Sequence, residues 1–247
     1  MKCLVTICQN KRAVLPYLFG KYCLPRMQAV FPGEMLLYHI FHDYAGVGPS
    51  YLQSNLTLGD DNLKNVKDFI AQGKYANAKV LRHEILYKEY TYLPSVALAA
   101  TVAIHERADF HLWLEDDAIV LDSGCDQWPA LFGDGDVGLY RDTAYKGMVN
   151  SAYFVSRTSF DRRLLPRLSE YVPDNKPHSE SGQLEDLLCQ CAAGTTLLRR
   201  EDAIRYHISK KFPTSLEDVE AWLTRRLGVT PDELDLLSLD YGRYASL

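Results

Sequence analysis

A strand-like hydrophobic run that ends abruptly in three acids constrains this chain more than any other feature: Phe110 to Val120 reads FHLWLEDDAIV, with Glu115, Asp116 and Asp117 consecutive. If the run is buried, the carboxylates are carried to the C-terminal end of a strand, where mutual repulsion would drive them to take up protons unless a cation neutralised them. Hard oxygen ligands suit Mg²⁺ or Mn²⁺, ions that usually serve a phosphate-bearing substrate. Taken alone, such a triplet reads as a solvated turn, since structural charge clusters are common. Its setting decides between the two.

Lys2 to Cys8 is an apolar, β-branched run that predicts a buried opening strand, followed by the polar loop Gln9 to Arg12 and an apolar, Pro-interrupted segment from Ala13 to Val30. Glu34 to His42 predicts a second strand with Asp43 at its end, before the Gly-rich turn AGVGPS. Asp60 to Gln72 reads as helix and Ala78 to Arg82 as a short strand. Pro94 to Arg107, with Pro near its start and the nearly all-apolar SVALAATVAI after it, predicts a helix pressed onto a sheet. The acidic strand follows directly. Alternating strands and helices of this kind indicate an α/β, mostly parallel sheet with helices on both faces. Ligands of such sheets sit at the carboxyl ends of the strands, which draws Gln9 to Arg12, Asp43 and Glu115 to Asp117 toward one crevice.

Further strands are expected at Asp136 to Tyr140, Ser151 to Ser156 and Thr195 to Leu198, with the loop Lys146 to Asn150 facing the crevice. Glu185 to Ala193 predicts a helix with acids in its first turn and a stop at Gly194. Two capping boxes, Ser215 to Asp218 and Thr230 to Glu233, open a C-terminal helical pair. Residues 1–212 are read as the main domain and 213–247 as a helical extension, which could cap the domain, form a homo-oligomer or touch a membrane. Glu217, Asp218 and Glu220 argue against the last.

The 247 residues suffice for a substantial core, and a formal net charge of -5 offers no broad attraction for nucleic acid, so no stable nucleic-acid partner is expected. The 16 tyrosines would suit a cleft lined by rings with polar tips. Cys3, Cys8, Cys23, Cys125, Cys189 and Cys191 form no C-x-x-C pair, and free thiols in apolar runs pack as small hydrophobes, so zinc is not expected. The apolar part of MKCLVTICQNKR is too short for a secretory segment, and no run approaches the ~20 apolar residues of a transmembrane span. A soluble protein of a reducing cytoplasm is the expectation.

In order and motif, over roughly the first four fifths of its length, the chain resembles the GT-A type of nucleotide-sugar glycosyltransferase. The resemblance rests on the N-terminal strand, the second strand ending in Asp43, the apolar helix, the LEDD of Leu114 to Asp117, a small-residue loop, and the LED of Leu184 to Asp186 opening a helix that stops at Gly194. It implies a Rossmann-like mixed sheet and transfer of a sugar from a nucleoside diphosphate sugar, UDP-sugar first, to a hydroxyl on a glycan, a lipid-linked or a small-molecule acceptor. The family's D-x-D motif falls on Glu115-Asp116-Asp117. Asp117 would be the direct metal ligand, Glu115 would hold the ribose or the metal's water shell, and Asp116 would orient the loop or touch the nucleotide. Asp186, with Glu185 in reserve, matches the general base of inverting members; helix starts also attract acids for their dipole alone. His207 would complete the metal site and favour Mn²⁺ over Mg²⁺, although a lone His is more often structural. Lys210 and Lys211 could meet the diphosphate or form a solvated surface. Gln9, Asn10, Lys11 and Arg12 would recognise base and phosphates, Asp43 base or ribose, and Gly147, Asn150 and Ser151 sugar or acceptor. The other histidines read as ordinary hydrogen-bonding residues.

Two readings compete. A nucleotidyltransferase would carry a glycine-rich loop after its first strand, where this chain has QNKR; a catalytically silent nucleotide- or carbohydrate-binding module would keep the fold and leave the donor intact.

Overall fold

β1 (Lys2–Asn10) lies inside the sheet, with β2 (Glu34–Asp43) parallel on one side and β5 (Phe110–Glu115) parallel on the other. This is a computed structural model, and it describes residues 1–10, 14–30, 33–43, 47–53, 81–82, 92–115, 118–120, 135–142, 148–170, 180–198, 203–205 and 216–245. Beyond β2 come β3 (Val47–Gln53) and β4 (Leu81–Arg82); beyond β5 come β8 (Met148–Arg157), β7 (Val137–Asp142) and β9 (Thr195–Leu198), in the order β4-β3-β2-β1-β5-β8-β7-β9. The sheet is mixed: β7 and β9 also pair in parallel, whereas β2–β3, β3–β4, β5–β8 and β7–β8 are antiparallel. A separate ribbon joins β6 (Ala118–Val120) to β10 (Ala203–Arg205).

Helices cover both faces, which is why β1 and β5 are apolar almost throughout rather than alternating. Cys3, Val5 and Ile7 of β1, Phe110, Leu112 and Leu114 of β5, and Tyr153 and Val155 of β8 face one cluster. Across it lie α1 (Val14–Leu18), a π-helical turn (Phe19–Cys23) and α2 (Leu24–Val30). Leu4, Trp113 and Phe154 face the other cluster, beneath α3 (Tyr92–His105), α4 (Thr158–Glu170) and α5 (Glu180–Cys191). The small residues Ala99 and Ala103 of α3 are fully buried there, as the pattern of SVALAATVAI requires. Tyr17, Tyr38 and Tyr153 are core residues with at most 1% exposure, so these three line no cleft.

Three elements are decided by tertiary context. The AGVGPS segment is not simply a turn: Val47 opens β3, and Gly48 and Pro49 stand as two β3 residues against the single β2 position between Phe41 and Asp43, a bulge in β3 where a proline can sit without a ladder hydrogen bond. α4 contains Pro166, a helix breaker that discourages a helix on paper, yet Phe160, Leu164 and Leu168 repeat every four residues into the core and outweigh it. α5 begins at Glu180, five residues before Glu185, so Glu185 and Asp186 are not in its first turn. The helix expected at Asp60 to Gln72 lies outside the described residues.

The C-terminal helices α6 (Leu216–Leu227) and α7 (Pro231–Ala245) send Val219, Leu223, Leu227, Leu236 and Leu237 into the same cluster as β1 and β5. Gly228, at φ 71°, makes the left-handed turn after α6. The second capping box is present: Glu233 accepts from the Thr230 amide at 2.9 Å and hydroxyl at 2.8 Å. The same carboxylate, 1% exposed, reaches into the π turn and accepts from Lys21 Nζ at 3.0 Å and the Tyr22 hydroxyl at 2.6 Å. Among the described residues no helix is long and apolar enough to cross a membrane.

Candidate functional site

Parallel pairing brings the carboxyl ends of three strands to one edge. Cys8 of β1 is in register with Glu115, the last residue of β5, and Asn10 at the end of β1 is in register with His42, one residue before Asp43. Gln9, Asn10, Asp43 and Glu115 are thus assembled on one rim although far apart in sequence. β8 runs the other way, with Tyr153 opposite Leu114, so Asn150 and Ser151 reach the same rim from β8. Ser151 lies in the strand, as expected, whereas Asn150, expected in the preceding loop, lies in it too because β8 begins at Met148 and pairs Asn150 with Tyr140 beyond a bulge of its own at residues 151–153.

Glu115 is half-buried, at the boundary between the core and the rim. Immediately beyond the acids, Ala118 is buried in the main cluster and pairs with Arg205, the last residue of β10. β10 therefore ends beside the residue that follows the acidic run, and His207 comes two positions later in sequence. Asp116, Asp117, Lys11, Arg12, Gly147, His207, Lys210 and Lys211 lie outside the described residues. Among those described, no group of three or more His, Cys, Asp or Glu side chains is arranged to hold a metal ion.

Asp186 is exposed in the second turn of α5, between the buried Leu184 and Leu187. Because a helix terminus acts on charges only within the first turn, the dipole explanation for this acid pair fails. Its neighbour one turn on, Cys189, has its thiol pushed up by burial and then by the carboxylates of Asp186 and Glu185, so it is not a nucleophile in waiting. Cys3 and Cys23 are buried and pushed up to about 12, chiefly by burial, as structural thiols are.

Two polar constellations escaped the sequence reading. Glu233 was expected only as a cap, and nothing in the sequence tied it to Lys21. His111 was grouped with the ordinary histidines, yet it sits buried against Asp161, with Nδ1 3.3 Å from Oδ2. A histidine alternating with Trp113 in a buried strand was the available signal.

No family model matches the chain, and no curated protein matches it. Among solved structures it is similar to the galactosyltransferase LgtC in complex with donor and acceptor sugar analogs, at 12% identity, over 97% of this chain and 95% of that one, TM-score 0.46. It is similar to residues 1–349 of S. aureus TarS, at 15% identity, over 100% of this chain and 72% of that one, TM-score 0.46. A CMP:2-keto-3-deoxy-manno-octonic acid synthetase complexed with CTP aligns at 11% identity, over 92% of this chain and 100% of that one, TM-score 0.44. Likenesses of this size assign the chain to no family.

Proposed function

We propose that this chain is a glycosyltransferase that moves a sugar from a nucleoside diphosphate donor to a hydroxyl acceptor, with a divalent cation at the acidic run. The observation that carries the reading is the shared rim of β1, β2 and β5, with Glu115, the first acid of LEDD, opposite Cys8 and Asp43 ending the strand on the other side of β1. Open α/β sheets bind ligands at such an edge. The path of β10, which ends beside Ala118 shortly before His207, supports grouping His207 with the acids.

Asp117, Glu115 and His207 would hold Mn²⁺ or Mg²⁺, whose chemistry there would be to offset charge on the departing diphosphate. Gln9, Asn10, Arg12 and Asp43 would orient the nucleotide, with Asp116 and Lys210 beside it and Gly147 and Asn150 toward the sugar. The acceptor oxygen forms its bond to the anomeric carbon as the carbon–phosphate-oxygen bond breaks, and a carboxylate takes the hydroxyl proton. Asp186, exposed and free of a helix-terminal role, is assigned that proton, with Glu185 in reserve. Direct displacement of this kind inverts the anomeric centre.

The test is calorimetric binding of a panel of nucleoside diphosphates and their sugars, with Mn²⁺, Mg²⁺ or chelator, to the natural chain and to Asp117→Asn. Metal-dependent binding of one base, lost in the variant, is expected; no binding anywhere in the panel by a folded sample would sink the proposal.

A further inference from the structure

Four buried polar side chains meet below the acidic rim, and none of them belongs to the site described above. Thr6 on β1, His111 on β5 and Ser156 on β8 are 0% exposed, and Asp161 in the first turn of α4 is 1% exposed. The Ser156 hydroxyl donates to Asp161 Oδ1 at 2.6 Å. His111 presents Nδ1 to Asp161 Oδ2 at 3.3 Å and Nε2 to Thr6 Oγ1 at 3.1 Å. The approach of Nδ1 to Oδ2 lies outside hydrogen-bond geometry and is a close polar contact between two buried atoms. Trp113 and Phe154 meet the ring edge-on, with centroids at 6.5 and 5.9 Å.

His111 and Ser156 are direct cross-strand partners. One carboxylate, supplied by the helix that follows β8, therefore engages both members of a β5–β8 pair, and through the imidazole reaches β1. Stability alone does not account for this choice, because well-packed apolar residues of similar volume often serve a core as well or better than a buried polar set. Register does account for it. A slip of one residue turns every side chain to the opposite face, and these four polar side chains meet in one register only.

We propose that Asp161 is a positioning residue that pins β5 to β8 at His111 and Ser156, and β5 to β1 through Thr6, so setting the relative heights of the strand ends at the rim. The three strands it joins carry Gln9 and Asn10, Glu115, and Asn150. At ~3.3 Å per residue the pin lies roughly 10 to 20 Å along the strands from these positions. The functional half of the proposal rests on the reading of that rim as a donor site.

The test uses the full chain with Asp161→Asn and, as a milder change that removes one hydrogen bond, Ser156→Ala; Ser156→Thr restores the hydroxyl. Two readouts are taken well below the melting temperature: amide exchange along β5 and β8, and the Kd for a nucleoside diphosphate with Mn²⁺. Loss of the pin is expected to speed exchange at Leu112, Leu114 and Val155 and to raise Kd, each by about tenfold, with recovery in Ser156→Thr. Unchanged exchange in the folded variants overturns the pin. Faster exchange with unchanged Kd overturns the positioning role. If the natural chain binds no nucleoside diphosphate, the donor-site reading falls by itself, and the exchange rates still decide the pin.

Discussion

Replacing Glu233 by glutamine should separate the C-terminal helices from the π turn by a predictable amount. Burial alone would raise this carboxyl, but hydrogen bonds from Tyr22, the Thr230 amide, Lys21 and the Thr230 hydroxyl outweigh it and hold the group at about 2 against an ordinary 4.5. At about 1.4 kcal/mol per pH unit, that difference contributes about 3 kcal/mol to folding at neutral pH. Lys21 adds a constraint of its own, since its ammonium lies 5.2 Å from the Tyr22 ring centroid and 5.8 Å from that of Tyr17. Because the folded-state value is depressed, the contribution is complete above the unfolded value near 4.5 and disappears as pH falls toward 2. In urea denaturation, the gap between the natural chain and Glu233→Gln should be about 3 kcal/mol at pH 7 and smaller by about 2 kcal/mol at pH 3. The matching melting-temperature difference at pH 7 is roughly 6 to 12 °C for a chain of this size. Equal stability at pH 7, or a gap that does not shrink on acidification, would refute the reasoning.

Arg107 takes a left-handed conformation, φ 55°, after α3. Arg107→Gly should therefore raise stability by about 1 kcal/mol, and a scanning-calorimetry melting point that stays level or drops would contradict this. Asp186→Asn should leave stability within about 0.5 kcal/mol, as for an exposed site, and under the proposed function should abolish sugar transfer. Undiminished turnover would remove Asp186 as the base. With Cys3 and Cys23 pushed up to about 12, iodoacetamide at pH 8 should spare both in the native protein. Mass spectrometry finding them alkylated before unfolding would contradict the burial argument.

The features legible in the sequence are those written within a few residues of themselves. FHLWLE ends as a buried strand at Glu115, TTLL is β9 at Thr195–Leu198, and Thr230 with Glu233 forms its capping box, because short apolar runs and end-capping are local features. The acidic run could likewise be named as a candidate from its own residues. What the chain could not show by itself depends on partners remote in sequence. Gly48 and Pro49 enter a strand because pairing with β2 accommodates them as a bulge in β3, and α4 spans Pro166 because the core rewards Phe160, Leu164 and Leu168. The meeting of Cys8 with Glu115, and of His111 with Asp161, is likewise a matter of register and packing. A sequence records which groups are available and their local period; only when the sheet's faces are buried is one alignment of strands selected, and with it the set of side chains that stand within reach of one another.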